Sequence, residues 1–98
     1  MDIRYIAGFF DGEGYVGFGF RMRPEVRIVH TYLPVLEQLK ELYGGGIYPR
    51  KKTPVRHKIA YDWVLVDSQK VYKFLSDIRP YLLEKKERVE LVLKDSVC

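Results

Sequence analysis

Apolar positions along the chain keep two rhythms. From Ile3 to Gly12 they recur at helical spacing, and they do so twice: Ile3, Ile6, Ala7 and Phe10 make one stripe, Tyr5, Gly8, Phe9 and Gly12 another. A helix apolar on two stripes needs cover on both. In a chain this short, one layer of its own structure covers one of them. The other, with Gly8 and Gly12 four residues apart, asks for a helix from outside. Asp2 is placed to cap this helix, which is predicted to run to about Asp11 and to end at Gly12 and Gly14. Which stripe faces the chain's own sheet is left open by the pattern.

The rhythm then changes to two. Val16, Phe18 and Phe20 are predicted to pack on one face of a strand, leaving Tyr15, Gly17, Gly19 and Arg21 on an open face. Pro24 marks a tight connection. A second strand follows from Val26 to Val29, with Val26 and Ile28 inward, Arg27 outward and His30 at its end. Pro34 opens a helix with the stripe Val35, Leu36, Leu39, Leu42 and Tyr43, stopped by Gly44-Gly45-Gly46. Ile47–Lys51 and Ile59–Val66 read as a second hairpin around a basic loop containing Pro54, with Ile59, Tyr61, Trp63 and Leu65 packed. Asp67 or Ser68 caps a helix whose stripe is Val71, Phe74, Leu75 and Ile78. After Arg79-Pro80 a last helix is expected to reach about Ser96. Its stripe (Leu82, Val89, Val92, Leu93) takes in Lys85, either snorkelling out of an interface or held near a charged site. Lys86, Arg88 and Lys94 read as ordinary surface charges. The order αββαββα, with one helix appended, predicts a single α+β domain over residues 1–98 with helices on one face of an antiparallel sheet.

Charge sharpens this picture. Residues 21–58 carry nine bases and three acids, residues 1–20 one base and three acids, and residues 59–98 seven of each. Arg50, Lys51, Lys52, Arg56 and Lys58 form a run without an acid. A positive middle third attracts polyanions, phosphate backbones above all, though such a run is as often a solvated loop. The apolar fraction of 47% is that of an ordinary globule. A single cysteine, Cys98, excludes an internal disulfide and a thiolate cluster. No membrane span or leader is legible, and the cytosol is the expected location.

Asp11 and Glu13 end a helix that should otherwise hold nothing charged. Gly12-Glu13-Gly14-Tyr15-Val16-Gly17 fits the dinucleotide pattern G-x-G-x-x-G but follows a helix and opens a strand, the reverse of what that chemistry requires. A kinase glycine loop lacks its later motifs, and a calcium loop would need glutamate where Met22 stands. The pattern that fits is a carboxylate brought by a helix end to the edge of a basic sheet. Carboxylates hold hard divalent cations such as Mg²⁺, which activate water beside a phosphate. One carboxylate per chain is too few, and a two-fold pairing of the apolar helix would bring two copies of Glu13 together.

The stretch Ile6-Ala7-Gly8-Phe9-Phe10-Asp11-Gly12-Glu13-Gly14 resembles the motif that names the LAGLIDADG homing endonucleases. Leu36-Glu37-Gln38-Leu39 to Gly44-Gly45-Gly46 is similar to the family's second helix and glycine exit, and Arg79-Pro80-Tyr81-Leu82 with Glu84-Lys85-Lys86 to a later segment. The resemblance implies a homing-endonuclease-like fold with a curved sheet on the DNA major groove. It also implies a homodimer paired through Tyr5, Gly8, Phe9 and Gly12. By position, Glu13 and the carbonyl of Gly12 would bind the metal, with Asp11 structural and Lys85 assisting at the scissile phosphate. His30 stands where the family often has glutamine near the attacking water, and could orient or deprotonate it. The strand residues Tyr15, Arg21, Arg27, Tyr48, Arg50, Lys52 and Asp62 would face DNA. The expected activity is Mg²⁺-dependent cutting of both strands at a pseudo-palindromic site. A non-cutting DNA-binding regulator and an RNA-splicing helper on the same scaffold are the alternatives.

Overall fold

The computed structural model describes residues 2–50 and 59–95. Helix α1 (Ile3–Glu13) opens the chain, and the Asp2 side chain caps it by accepting from the Arg4 N–H at 2.8 Å. There follow β1 (Gly14–Phe18), β2 (Pro24–His30), α2 (Leu33–Tyr43), β3 (Gly46–Pro49), β4 (Tyr61–Leu65), α3 (Ser68–Ile78) and α4 (Lys86–Asp95). The four strands form one antiparallel sheet in the order β1-β2-β4-β3. The hairpins β1–β2 and β3–β4 thus meet along β2 and β4, where Ile28 stands opposite Trp63. This is the expected α+β arrangement.

Ile6, Ala7 and Phe10 of α1 are buried, which settles which stripe faces the sheet. They join Val35, Leu36 and Leu39 of α2, Val71, Phe74, Leu75 and Ile78 of α3, and Val16, Val26, Ile28, Trp63 and Leu65 from the sheet. Phe74 is the hub, with Tyr43, Trp63 and Phe10 all edge-on to it at 4.9, 5.3 and 5.4 Å between ring centroids. Two polar tips in this layer are satisfied. Trp63 Nε1 donates to the Gly44 carbonyl at 2.9 Å, and the Tyr43 hydroxyl to Asp77 at 2.9 Å. Burial, together with that hydrogen bond to Asp77 and the carboxylate's charge, pushes the Tyr43 phenol up to about 12.

Two glycines are required by close approach. A Cβ at Gly14, where α1 turns directly into β1, would collide with the Phe10 ring and lie 2.7 Å from the Phe10 carbonyl oxygen. Gly45 has φ 87° and would place a Cβ 2.5 Å from the Val64 carbonyl oxygen.

The structure corrects the sequence reading at several places. β1 ends at Phe18, which pairs with Pro24, so Pro24 starts β2 rather than breaking the pattern. Phe20 lies in the turn and is 82% exposed, and Phe18 sits at the rim rather than inside. In that turn Arg21 and Met22 both take left-handed backbone, with φ of 58° and 59°, so Arg21 is not a strand residue. Leu42 and Ile59 are exposed rather than packed. The last helix begins at Lys86, several residues after Pro80, so Lys85 precedes it instead of interrupting its stripe. Arg88 is no free surface charge: its Nε donates to the Val16 carbonyl at 2.8 Å, closing part of the outer edge of β1. The basic loop with Pro54 and the expected end near Ser96 lie outside the described residues.

Candidate functional site

The end of α1 is fastened to the start of α4 by one carboxylate. Asp11 accepts from the backbone N–H groups of Leu83 (2.9 Å), Glu84 (3.0 Å) and Lys85 (2.8 Å). The Lys85 carbonyl in turn accepts from Val89 N–H at 2.9 Å and so starts α4. Burial pushes the Asp11 carboxyl up, but the three amides and the nearby Lys85 ammonium outweigh it and hold it below the ordinary 3.8. The Lys85 ammonium folds back to donate to the Asp11 carbonyl at 2.6 Å, at the negative end of the α1 dipole. Asp11 therefore has no free oxygen geometry for a metal. It is structural, and it holds the Lys85 ammonium at a backbone position two residues before Glu13.

Asp11→Ala leaves three amides without their acceptor, and a loss of about 2–3 kcal/mol is expected. Because the folded-state value lies below the unfolded one, this contribution is intact above about pH 4 and is lost as pH falls further. Urea unfolding followed by circular dichroism should show an acid limb in the native chain that is flatter in Asp11→Asn.

Glu13 is the last residue of α1, exposed, and has no hydrogen bond or ion pair among the described residues. An acid at a helix C-terminus opposes the dipole, and no base in the last turn of α1 offsets it. The carboxylate is thus placed against local preference and left free. Gly12 beside it is exposed as well. Among the described residues no three carboxylates, imidazoles or thiolates gather at one point. One free carboxylate and a neighbouring carbonyl fit half of a hard-cation site, the half that one chain of a two-fold pair would bring.

The outer stripe of α1 is open. Among the described residues, a Cβ added at Gly8 or at Gly12 meets nothing within 4 Å, and Tyr5 is 57% exposed. Tyr5 stacks on Phe9 at 6.1 Å, and Phe9 meets His30 edge-on at 5.2 Å. The His30 ring is held a second time, since its Nδ1 accepts from the Tyr32 N–H at 2.9 Å. With Nδ1 accepting, the neutral imidazole carries its proton on Nε2. That leaves a donor suited to orienting water or a phosphate oxygen and not a base to deprotonate one.

On the open face of the sheet, Glu13, Tyr15, Glu25, Arg27, Val29 and Arg50 line one shallow concavity. Asp62, on β4, lies beneath the arginines instead of projecting: one oxygen accepts from Arg50 Nε at 2.5 Å, the other from Arg27 Nη1 at 3.3 Å. Arg27 reaches Glu25 as well, at 3.5 Å. Tyr48 is exposed on the same face, opposite Asp62 in the β3–β4 register. Arg21, in the turn, instead lays its guanidinium over the Phe20 ring at 5.2 Å. Lys52 lies outside the described residues. Glu25 was missed from sequence, although its spacing of two from Arg27 on β2 puts both on one face.

No protein-family model matches the sequence, and neither does any curated protein. Solved structures do. Over 94% of its length the chain superposes on the homing endonuclease I-CvuI bound to DNA, with a TM-score of 0.74 and 19% identity. It superposes equally on the archaeal intron-encoded homing endonuclease I-Vdi141I in its DNA complex, with a TM-score of 0.73 and 25% identity over 94% of the chain. The chain has the fold of the LAGLIDADG homing endonucleases. It matches I-SmaMI, a LAGLIDADG meganuclease seen on uncleavable DNA, with a TM-score of 0.73 and 17% identity over 98% of the chain. The chain spans 63% and 64% of the first two proteins and 36% of the third. With this homing-endonuclease fold, the end of α1 carrying Glu13 and the sheet face carrying Arg27 and Arg50 border one concavity.

Proposed function

We propose that the chain is a site-specific DNA endonuclease that works as a homodimer with a divalent metal, Mg²⁺ being the natural choice. The observation that carries this reading is the Glu13 carboxylate at the end of α1, unpaired among the described residues, with the Lys85 ammonium tethered to the Asp11 carbonyl two residues before it and the arginine-bearing sheet face adjoining. The DNA in the I-CvuI, I-Vdi141I and I-SmaMI structures supports duplex DNA as the partner. The 2 mM Mg and 2 mM Ca present with I-CvuI support a divalent cation.

Each chain would offer Glu13 and the Gly12 carbonyl as oxygen ligands, and pairing along the Tyr5, Gly8, Phe9 and Gly12 stripe would bring two such sets together. A bound cation supplies positive charge to the scissile phosphate and makes an attacking water more acidic. Lys85, presented by Asp11, places an ammonium where charge builds on the phosphate. His30 donates from Nε2 to orient water. Tyr15, Arg27, Tyr48 and Arg50 hold the duplex on the sheet.

The test lets the protein choose its own target. A plasmid library with randomised inserts is incubated with the chain and Mg²⁺, and broken ends are sequenced. Double-strand breaks at one pseudo-palindromic site are expected. Salt-sensitive, metal-independent binding without a nick would make the protein a DNA-binding regulator instead.

A further inference from the structure

Asp11 and Asp62 are the two buried charged side chains among the described residues, and only Asp11 is explained by a helix start. Asp62 sits in the middle of the sheet's open face, between Val29 on β2 and Tyr48 on β3. A negative charge there weakens attraction for a polyanion, so its value must lie elsewhere. Its side chain is 12% exposed, against 37% for Arg27 and 50% for Arg50. The two arginines differ in what they leave free. Arg27 spends Nη1 on Asp62 and Nη2 on Glu25, and its Nε is buried without a partner among the described residues. Arg50 spends only Nε, so among the described residues both terminal nitrogens remain unbonded. Its backbone is fixed too, with N–H donating to the Ala60 carbonyl at 2.8 Å. A guanidinium held by Nε presents its end-on fork, two parallel N–H groups that match O6 and N7 of guanine in the major groove.

We propose that Asp62 is a specificity-determining positioning residue that orients Arg50 to read one guanine, with Arg27 as the second cation that holds the Asp62 carboxylate in place. This rests on the reading of the open face as a DNA surface. A long cation that floats contacts phosphates at any sequence. Holding it in advance removes the ordering cost from the bound state and confines the fork to one base position.

The test is selection of duplexes from a randomised library by the chain of residues 1–98, with bound sequences read before and after substitution. The native chain should enrich guanine at one position. In Asp62→Asn that preference should fall roughly tenfold or more, the discrimination a bidentate arginine–guanine pair provides. Retention of unselected duplex should rise in the same variant and depend more steeply on salt, because the face gains a net positive charge. Arg50→Gln should lose the same guanine preference while binding weakens. A merely structural role for Asp62 would lower binding to all sequences together with thermal stability, and that result would overturn the proposal. So would Asp62→Asn keeping a guanine preference that Arg50→Gln loses, or a native chain that binds duplex without preference at any position Arg50 controls. No retention of duplex at all would remove the DNA reading along with it, which separates the two failures.

Discussion

Replacing Glu13 with Gln is expected to lower DNA cleavage by about three orders of magnitude or more while leaving DNA binding and folding intact. The amide has the shape of the carboxylate and lacks its charge, and a hard cation depends on that charge. Folding has no stake in the original residue, since Glu13 is exposed and unpaired among the described residues and stands at the unfavourable end of the helix dipole. The variant should melt at the same temperature as the native chain or slightly higher. Cleavage of a site recovered from the random library, run beside a binding titration on the same duplex, separates the effects. Full cleavage by Glu13→Gln would remove the assigned role.

Gly8→Leu is the second large effect. Inside one chain it is permitted, because a Cβ at Gly8 meets nothing within 4 Å among the described residues. It should also favour α1, as replacing a glycine in a helix interior with leucine is worth up to roughly 1 kcal/mol. Against a twin helix it is not permitted, because close helix approach over glycines leaves no space for four added carbons. Dimer dissociation should rise by about three orders of magnitude, the scale of a disrupted hot spot. The monomer should stay folded or become more stable, and double-strand cutting should disappear with the dimer. Gly12→Leu should behave in the same way. Sedimentation equilibrium and calorimetry on the same samples check both halves, and a monomeric variant that still made double-strand cuts would break the link between pairing and catalysis.

How much of this was legible in the sequence depended on how local the cause was. The α3 stripe and its cap were readable because Asp67 and Val71, Phe74, Leu75 and Ile78 lie within one element. The strand faces around Val26, Ile28, Trp63 and Leu65 were readable from alternation. The start of α4 was misplaced because its organising carboxylate is Asp11, 72 to 74 residues away in sequence. The same distance hid the reason for Lys85, which is tied to the Asp11 backbone instead of interrupting an apolar stripe. Phe20 was misassigned because strand alternation carries no sign that two non-glycine residues after it turn left-handed. Asp62 was placed on the correct face, but only the β2–β4 and β3–β4 registers reveal that Arg27 and Arg50 close over it. For Glu13 the anomaly itself was the signal: an acid ending an apolar helix, which is unpaired among the described residues.

Everything proposed for catalysis depends on two copies of α1 completing what one copy leaves half-built. Sedimentation equilibrium of the unmodified chain at micromolar concentration measures this most directly. The account predicts a two-chain species that Gly8→Leu converts to a folded single chain. A well-folded single chain from the native sequence, still cutting both strands of DNA, would contradict it.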